Sequence, residues 1–275
     1  MDDARGPGSV ALVTGATSGI GRMIALHLAA QGSPVAGVGR NAAGLAALEA
    51  DARDQSGEVL GIQADVTASD SVRNALEQAE ERWGPVELVI ACAGVADALG
   101  PVVEVAAAEW WKDVTTDLLG TFLTLQESAR RMQPRRRGRL ISVYGNLGDR
   151  GTPNLSAFAA SKAAVARLSE CLASELGPVG VKVFCMHPGF VRTPMTEALA
   201  WGDAGQRFLP GFGERAEEHW GDGREALALV DAIRDGNADE LTGRLLFAGD
   251  DLASLTEQAS SSPDLRRLRI SFETQ

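Results

Sequence analysis

The chain has 275 residues, 45% hydrophobic and 23% charged, a composition that excludes disorder and a length that one α/β domain spanning 1–275 accommodates. Its formal net charge of −11 repels phosphate backbones, so neither nucleic acid nor an anionic membrane is expected as a partner. Three scattered cysteines, Cys92, Cys171 and Cys185, exclude a disulfide framework and a zinc site and fit a reducing cytoplasm, and no apolar stretch reaches the roughly eighteen residues of a membrane span.

The acidic start, Met1-Asp2-Asp3-Ala4-Arg5, runs directly into a first strand and carries no secretory pattern. Apolar runs at 10–13, 34–39, 59–64, 86–91, 139–143, 181–186 and 244–248 predict seven strands. Each is rich in Val, Ile, Leu or Ala without strict alternation, as in a parallel sheet buried on both faces. Helical stretches separate them. Ile20, Ile24 and Leu28 recur at a four-residue spacing that Gly32 and Pro34 stop. Further helices are predicted over 41–54, from a Ser69 cap to Arg82, over 106–132 and over 157–176. This alternation specifies a doubly wound α/β sheet with helices on both faces.

Six arginines between Arg130 and Arg139 read either as a solvated helix end and loop or as a docking surface for an acidic partner such as a carrier protein. Residues 194–223 carry Trp201, Phe208, Phe212 and Trp220 among several glycines. At the carboxyl edge of such a sheet an irregular segment of this kind reads as a substrate lid, or as aromatics packing a surface loop. A C-terminal extension at about 250–275 follows, with 265–270 expected to fold back over a pocket.

Thr14-Gly15-Ala16-Thr17-Ser18-Gly19-Ile20-Gly21 falls at the junction of the first strand and first helix. Glycines there permit a tight turn and let backbone amides reach a pyrophosphate at the positive end of the helix. Together with Asp65-Val66, Ala93-Gly94, Lys162 and Pro188-Gly189-Phe190-Val191-Arg192-Thr193, the segment resembles the short-chain dehydrogenase/reductase family over nearly the whole chain. The resemblance implies a Rossmann fold. It implies further that Asp65 and Val66 flank an adenine, that Ala93 and Gly94 lie beside the adenosine ribose, and that Thr193 holds the nicotinamide carboxamide. The family's usual Asn-Asn-Ala-Gly reads Ala91-Cys92-Ala93-Gly94 here. Where an acidic residue would select NAD(H), the second strand ends in Gly39, followed by Arg40 and Asn41. An arginine there pairs with a 2′-phosphate and stacks on adenine, so NADP(H) is the expected cofactor.

In ordinary members of this family a Tyr-x-x-x-Lys pair and a serine handle the substrate oxygen. The matching segment here is Phe158-Ala159-Ala160-Ser161-Lys162, so the lysine is present and the phenol is absent. Thirteen positions before Phe158 and three before Gly148 both lead to Gly145, which has no hydroxyl. The supporting asparagine maps onto Asp117. The single tyrosine, Tyr144, adjoins Gly145, and strand alternation turns it away from the nicotinamide unless a bulge intervenes.

The expected catalytic set is therefore Lys162, Asp117, Phe158, Gly145 and Tyr144, with Asp117, Asp149, His187 and Tyr144 as candidate acids that each also have a purely structural explanation. A positioned general acid is worth on the order of 10² to 10⁴ in rate, so ordinary carbonyl reduction should be crippled. Three functions stay open: hydride transfer to a C=C or iminium carbon, a redox-neutral cyclase, isomerase or dehydratase that uses NADP(H) structurally, and non-catalytic NADP(H) binding. The lid aromatics suggest a bulky apolar small-molecule substrate. The resemblance also implies a homodimer or homotetramer through the two long helices.

Overall fold

The computed structural model describes residues 8–145 and 151–268. Its centre is a seven-stranded, all-parallel sheet in the order β3-β2-β1-β4-β5-β6-β7. The strands are β1 (Ala11–Thr14), β2 (Val35–Gly39), β3 (Val59–Gln63), β4 (Leu88–Ala91), β5 (Gly138–Val143), β6 (Val181–His187) and β7 (Leu245–Phe247). Each falls within two residues of its predicted bounds, because unbroken apolar runs suit strands covered on both sides.

That double burial is visible residue by residue. Val13, Ile90, Ile141 and Phe184 point into one apolar layer, while their neighbours Leu12, Val89, Leu140 and Val183 point into the other. The first layer receives α1 (Gly19–Ala30), α2 (Ala42–Asp54) and, later in the chain, α10 (Arg224–Arg234) and α11 (Leu252–Ser261). The second receives α3 (Ser69–Trp83), α5 (Gly120–Arg135) and part of α6 (Ser156–Leu176). Strand order reverses at β1, between β2 and β4, which opens a crevice at the carboxyl ends of the strands.

Several expectations need correction. Ser69 is the first residue of α3 and not its cap, since Ala68 holds the extended backbone there and the Ser69 hydroxyl donates to Glu127 at 3.0 Å. The predicted helix over 106–132 is split into α4 (Ala107–Val114), a π-helical turn (Thr115–Leu119) and α5. Residues 194–223 are largely helical: α7 (Pro194–Trp201), α8 (Asp203–Phe208) and α9 (Phe212–Glu217) follow one another across the crevice. Helices this short leave little periodicity to read, and their glycines mimic a loop.

The arginine run is spent inside the chain. Arg130 pairs with Glu127 at 2.6 Å, Arg131 with Glu77 and Glu80, Arg135 with Glu80, Arg137 with Glu87 and Arg139 with Asp239 at 2.8 Å, while Arg136 reaches the Pro178 carbonyl. Among the described residues, no helix is long and apolar enough to cross a membrane, and no cluster suits a metal ion.

Candidate active site

A cavity of about 630 Å³ lies at the crevice, within the range of small-molecule sites. The turn after β1 builds one wall. Gly15 (φ +68°) and Gly19 (φ +54°) hold backbone conformations that side chains rarely adopt, and a Cβ on Gly15 would stand 2.9 Å from Ala93 Cα. A Cβ on Gly21 would stand 2.5 Å from the Gly15 carbonyl oxygen. Ser18 caps α1 by backbone conformation only, with no side-chain cap bond, so the helix presents its N-terminal amides to the cavity. These are the properties of a phosphate cradle.

Loops after β3 and β4 close the same wall. Thr14 Oγ1 accepts the backbone N–H groups of Cys92 (3.0 Å) and Ala93 (3.2 Å). The tie uses the main chain, so a cysteine at position 92 keeps it. Burial pushes the Cys92 thiol up to about 11, which leaves it protonated and unreactive. Asp65 accepts the Thr67 N–H at 2.9 Å and the Thr67 hydroxyl at 2.8 Å, and these bonds hold its carboxyl below the usual range. Asn41 caps α2 through the Gly44 N–H at 3.1 Å. Arg40 lines the cavity beside them, and its charge adds to the lowering of the Asp65 carboxyl.

At the opposite end, Lys162 on α6 is buried and donates to the Val143 carbonyl at 3.2 Å. Its ammonium lies 5.3 Å from the centre of the Phe158 ring and 3.8 Å from Asp117 Oδ2. Asp117 sits in the π-helical turn, a form that often re-aims side chains at functional positions. Its Oδ1 accepts the Val95 N–H at 2.8 Å, while Oδ2 is buried with no hydrogen-bond partner. Burial raises the Asp117 carboxyl to about 6, against the opposing pull of Lys162 and of the Val95 bond. One turn earlier, Asp113 holds the next part of the same loop through the Ala98 N–H at 2.8 Å.

Gly145 faces this group. A Cβ there would lie 2.9 Å from Phe158 Cε1 and 3.0 Å from Cζ, so the phenylalanine ring occupies the space a side chain at 145 would need. Tyr144 is buried against Val165, Ala166 and Cys185, edge-on to His187 at 6.5 Å between ring centres. His187 accepts the Gly189 N–H at 3.2 Å. Gly148 and Asp149 lie outside the described residues.

The fold brings nearly all the sequence-predicted residues to this cavity: Gly15, Thr17, Ser18, Gly19, Ile20, Gly21, Arg40, Asn41, Asp65, Val66, Ala93, Gly94, Tyr144, Gly145, Phe158, Lys162, Pro188, Gly189 and Thr193 all line it. Two do not. Val191 is buried in a bridge with Gly221, and Asp117 stands behind Gly94 and Lys162. Thr193 also caps α7 reciprocally with Thr196.

Of the aromatics in 194–223, Phe212 lines the cavity. Trp220 instead packs on Phe190 at 4.8 Å, Trp201 is exposed, and the Phe208 carbonyl accepts Asn154 Nδ2 at 2.7 Å. The apolar end of the cavity is completed by Phe190, Met195 and Leu199. The last two escape sequence reasoning, although their four-residue spacing behind Thr193-Pro194 is the signal of a short helix with one inward face.

Residues 9–203, which hold the glycine turn after β1 and the buried lysine on the helix after β5, match the family model described as short chain dehydrogenase. The chain belongs to this family. It is similar to a 3beta-hydroxysteroid dehydrogenase of Mediterraneibacter gnavus, 32% identical over 188 residues that cover 68% of either chain. The fold is also that of levodione reductase, with a TM-score of 0.81, 28% identity and coverage of 91% of this chain and 100% of that one. A variant of actinorhodin polyketide ketoreductase solved with NADPH superposes with a TM-score of 0.79 and 28% identity, covering 89% of this chain and 97% of that one. This short-chain dehydrogenase is therefore an oxidoreductase of a family that binds nicotinamide cofactors.

Proposed function

We propose that this short-chain dehydrogenase uses NADP(H) for hydride transfer at a C=C or imine-type carbon of a bulky apolar substrate. The observation that carries the reading is the Phe158 ring lying where a side chain on Gly145 would stand, directly before Lys162. Phe158 has no proton to give, and Gly145 has no hydroxyl to hold a carbonyl oxygen. The barrier this adds to carbonyl reduction is on the order of 3–5 kcal/mol. An iminium carbon needs no proton at nitrogen, and a conjugate acceptor takes its proton from water or a nearby acid.

When bound, the cofactor supplies the hydride. Gly15, Gly19 and Gly21 give the pyrophosphate close backbone approach, and Lys162 is placed to hold the nicotinamide ribose. Support for NADP(H) over NAD(H) comes from the second strand end. A Cβ at Gly39 would lie 2.7 Å from Thr17 Cγ2, which leaves no room for an acidic side chain unless Thr17 turns away. The adjacent Arg40 guanidinium is open to a 2′-phosphate. Phe190, Met195, Leu199 and Phe212 offer the substrate an apolar wall.

The test compares a saturated ketone with its conjugated and imine counterparts, following NADPH absorbance. The conjugated or imine compound should show a kcat/KM at least about a hundredfold higher, the lower bound of a general acid's worth, and Arg40→Ala should raise the KM for NADPH while sparing that for NADH. Equal rates on the saturated ketone, or turnover without net consumption of NADPH, would overturn the reading.

A further inference from the structure

A second cavity, of about 240 Å³, opens between β6, β7, α6 and the segment after α11. Arg244, Arg266 and Arg267 line it. Arg266 is engaged, bonded to Asp250 at 2.7 Å and stacked on Phe247 at 4.5 Å. The other two are not. Arg244 is 7% exposed, and its side chain makes only a long contact, 3.4 Å, to the Ala259 carbonyl. The Nε atoms of both Arg244 and Arg267 are buried without a hydrogen-bond partner, and neither residue has an ion-pair partner among the described residues. Burial, and then Arg267, lowers the Arg244 pKa.

Two arginines that line one cavity without a counter-ion among the described residues run against the general cost of burying unpaired charge, and more so in a chain of net charge −11. The carboxylate on the wall, Glu170, already accepts the Leu268 N–H at 2.5 Å and Arg167 at 2.5 Å. Those contacts pin the segment that carries Arg266 and Arg267, and so fix the site in place. We propose that this cavity is a binding site for a small oxyanion of the phosphate class, held by the Arg244 and Arg267 guanidiniums and distinct from the dinucleotide cradle. Tyr144 lines both cavities, so an occupant here bears on the wall of the reaction centre.

The test is calorimetric titration of the full chain with inorganic phosphate in chloride buffer, with and without saturating NADPH. A site for one phosphate should appear in both conditions. Arg267→Gln should weaken it at least about tenfold, the loss expected for one charge-assisted bond. Arg267 is partly exposed, so this variant keeps the experiment readable if Arg244→Gln fails to fold. Absence of heat overturns the proposal. So does heat that NADPH or Arg40→Gln abolishes while Arg267→Gln leaves it intact, because the phosphate would then be in the cradle.

Discussion

A hydroxymethyl group placed on Gly145 would have to displace the Phe158 ring, because even a Cβ there comes within 2.9 Å of it. Glycine at 145 and phenylalanine at 158 are thus one packing solution. Gly145→Ser alone should destabilise the protein by about 1–3 kcal/mol, the usual cost of overpacking, as read by urea denaturation. Phe158→Ala in the same chain should return part of that loss, since neighbours in contact are not additive.

Asp117 carries the second residue-scale prediction. Its carboxyl is raised to about 6 from 3.8, so the fold favours the protonated form, and its contribution to stability is lost as pH rises through the folded value. Asp117→Asn removes that titration. Between pH 5.5 and 8 the variant should therefore gain about 1 kcal/mol relative to wild type, and parallel pH curves in urea would contradict the assignment. The sequence offers Asp117 as a candidate, but its place behind Gly94, out of the cavity wall, depends on the π-helical turn, for which the sequence carries no signal.

Among elements, α7 decides how the apolar end of the cavity is closed. Its first turn is held by Thr193 and Thr196, each accepting the other's backbone N–H at 3.1 and 2.8 Å, and by Pro194 at a position where a missing N–H costs nothing. Thr193→Ala should cost about 1 kcal/mol in thermal or urea unfolding, and Thr193→Ser should cost much less because it keeps the acceptor oxygen. The seven strands were legible because double burial writes itself as continuous apolar runs. Residues 194–223 were not, because α8 and α9 span only six residues each, too few for a helical period to separate them from loop.

For the whole molecule, the sheet brings the turn after β1, the loop after β4, helix α6 and the loop after β6 to one edge, so a dinucleotide bound there touches segments more than a hundred residues apart. NADPH at a hundred times its Kd should accordingly raise stability by about 2.7 kcal/mol, a rise in Tm of roughly 5–10 °C for a chain of this size. An unchanged melting temperature in the presence of NADPH would count against the cradle. The parallel sheet, the glycine turn and the identities of Phe158 and Gly145 belonged to the sequence alone, because each depends on local periodicity, a backbone conformation or the identity of a side chain. The closeness of Phe158 to Gly145, the apolar wall of Met195 and Leu199, and the meeting of Arg244 with Arg267 at one cavity belonged to the tertiary structure, because packing between distant segments decides which side chains converge.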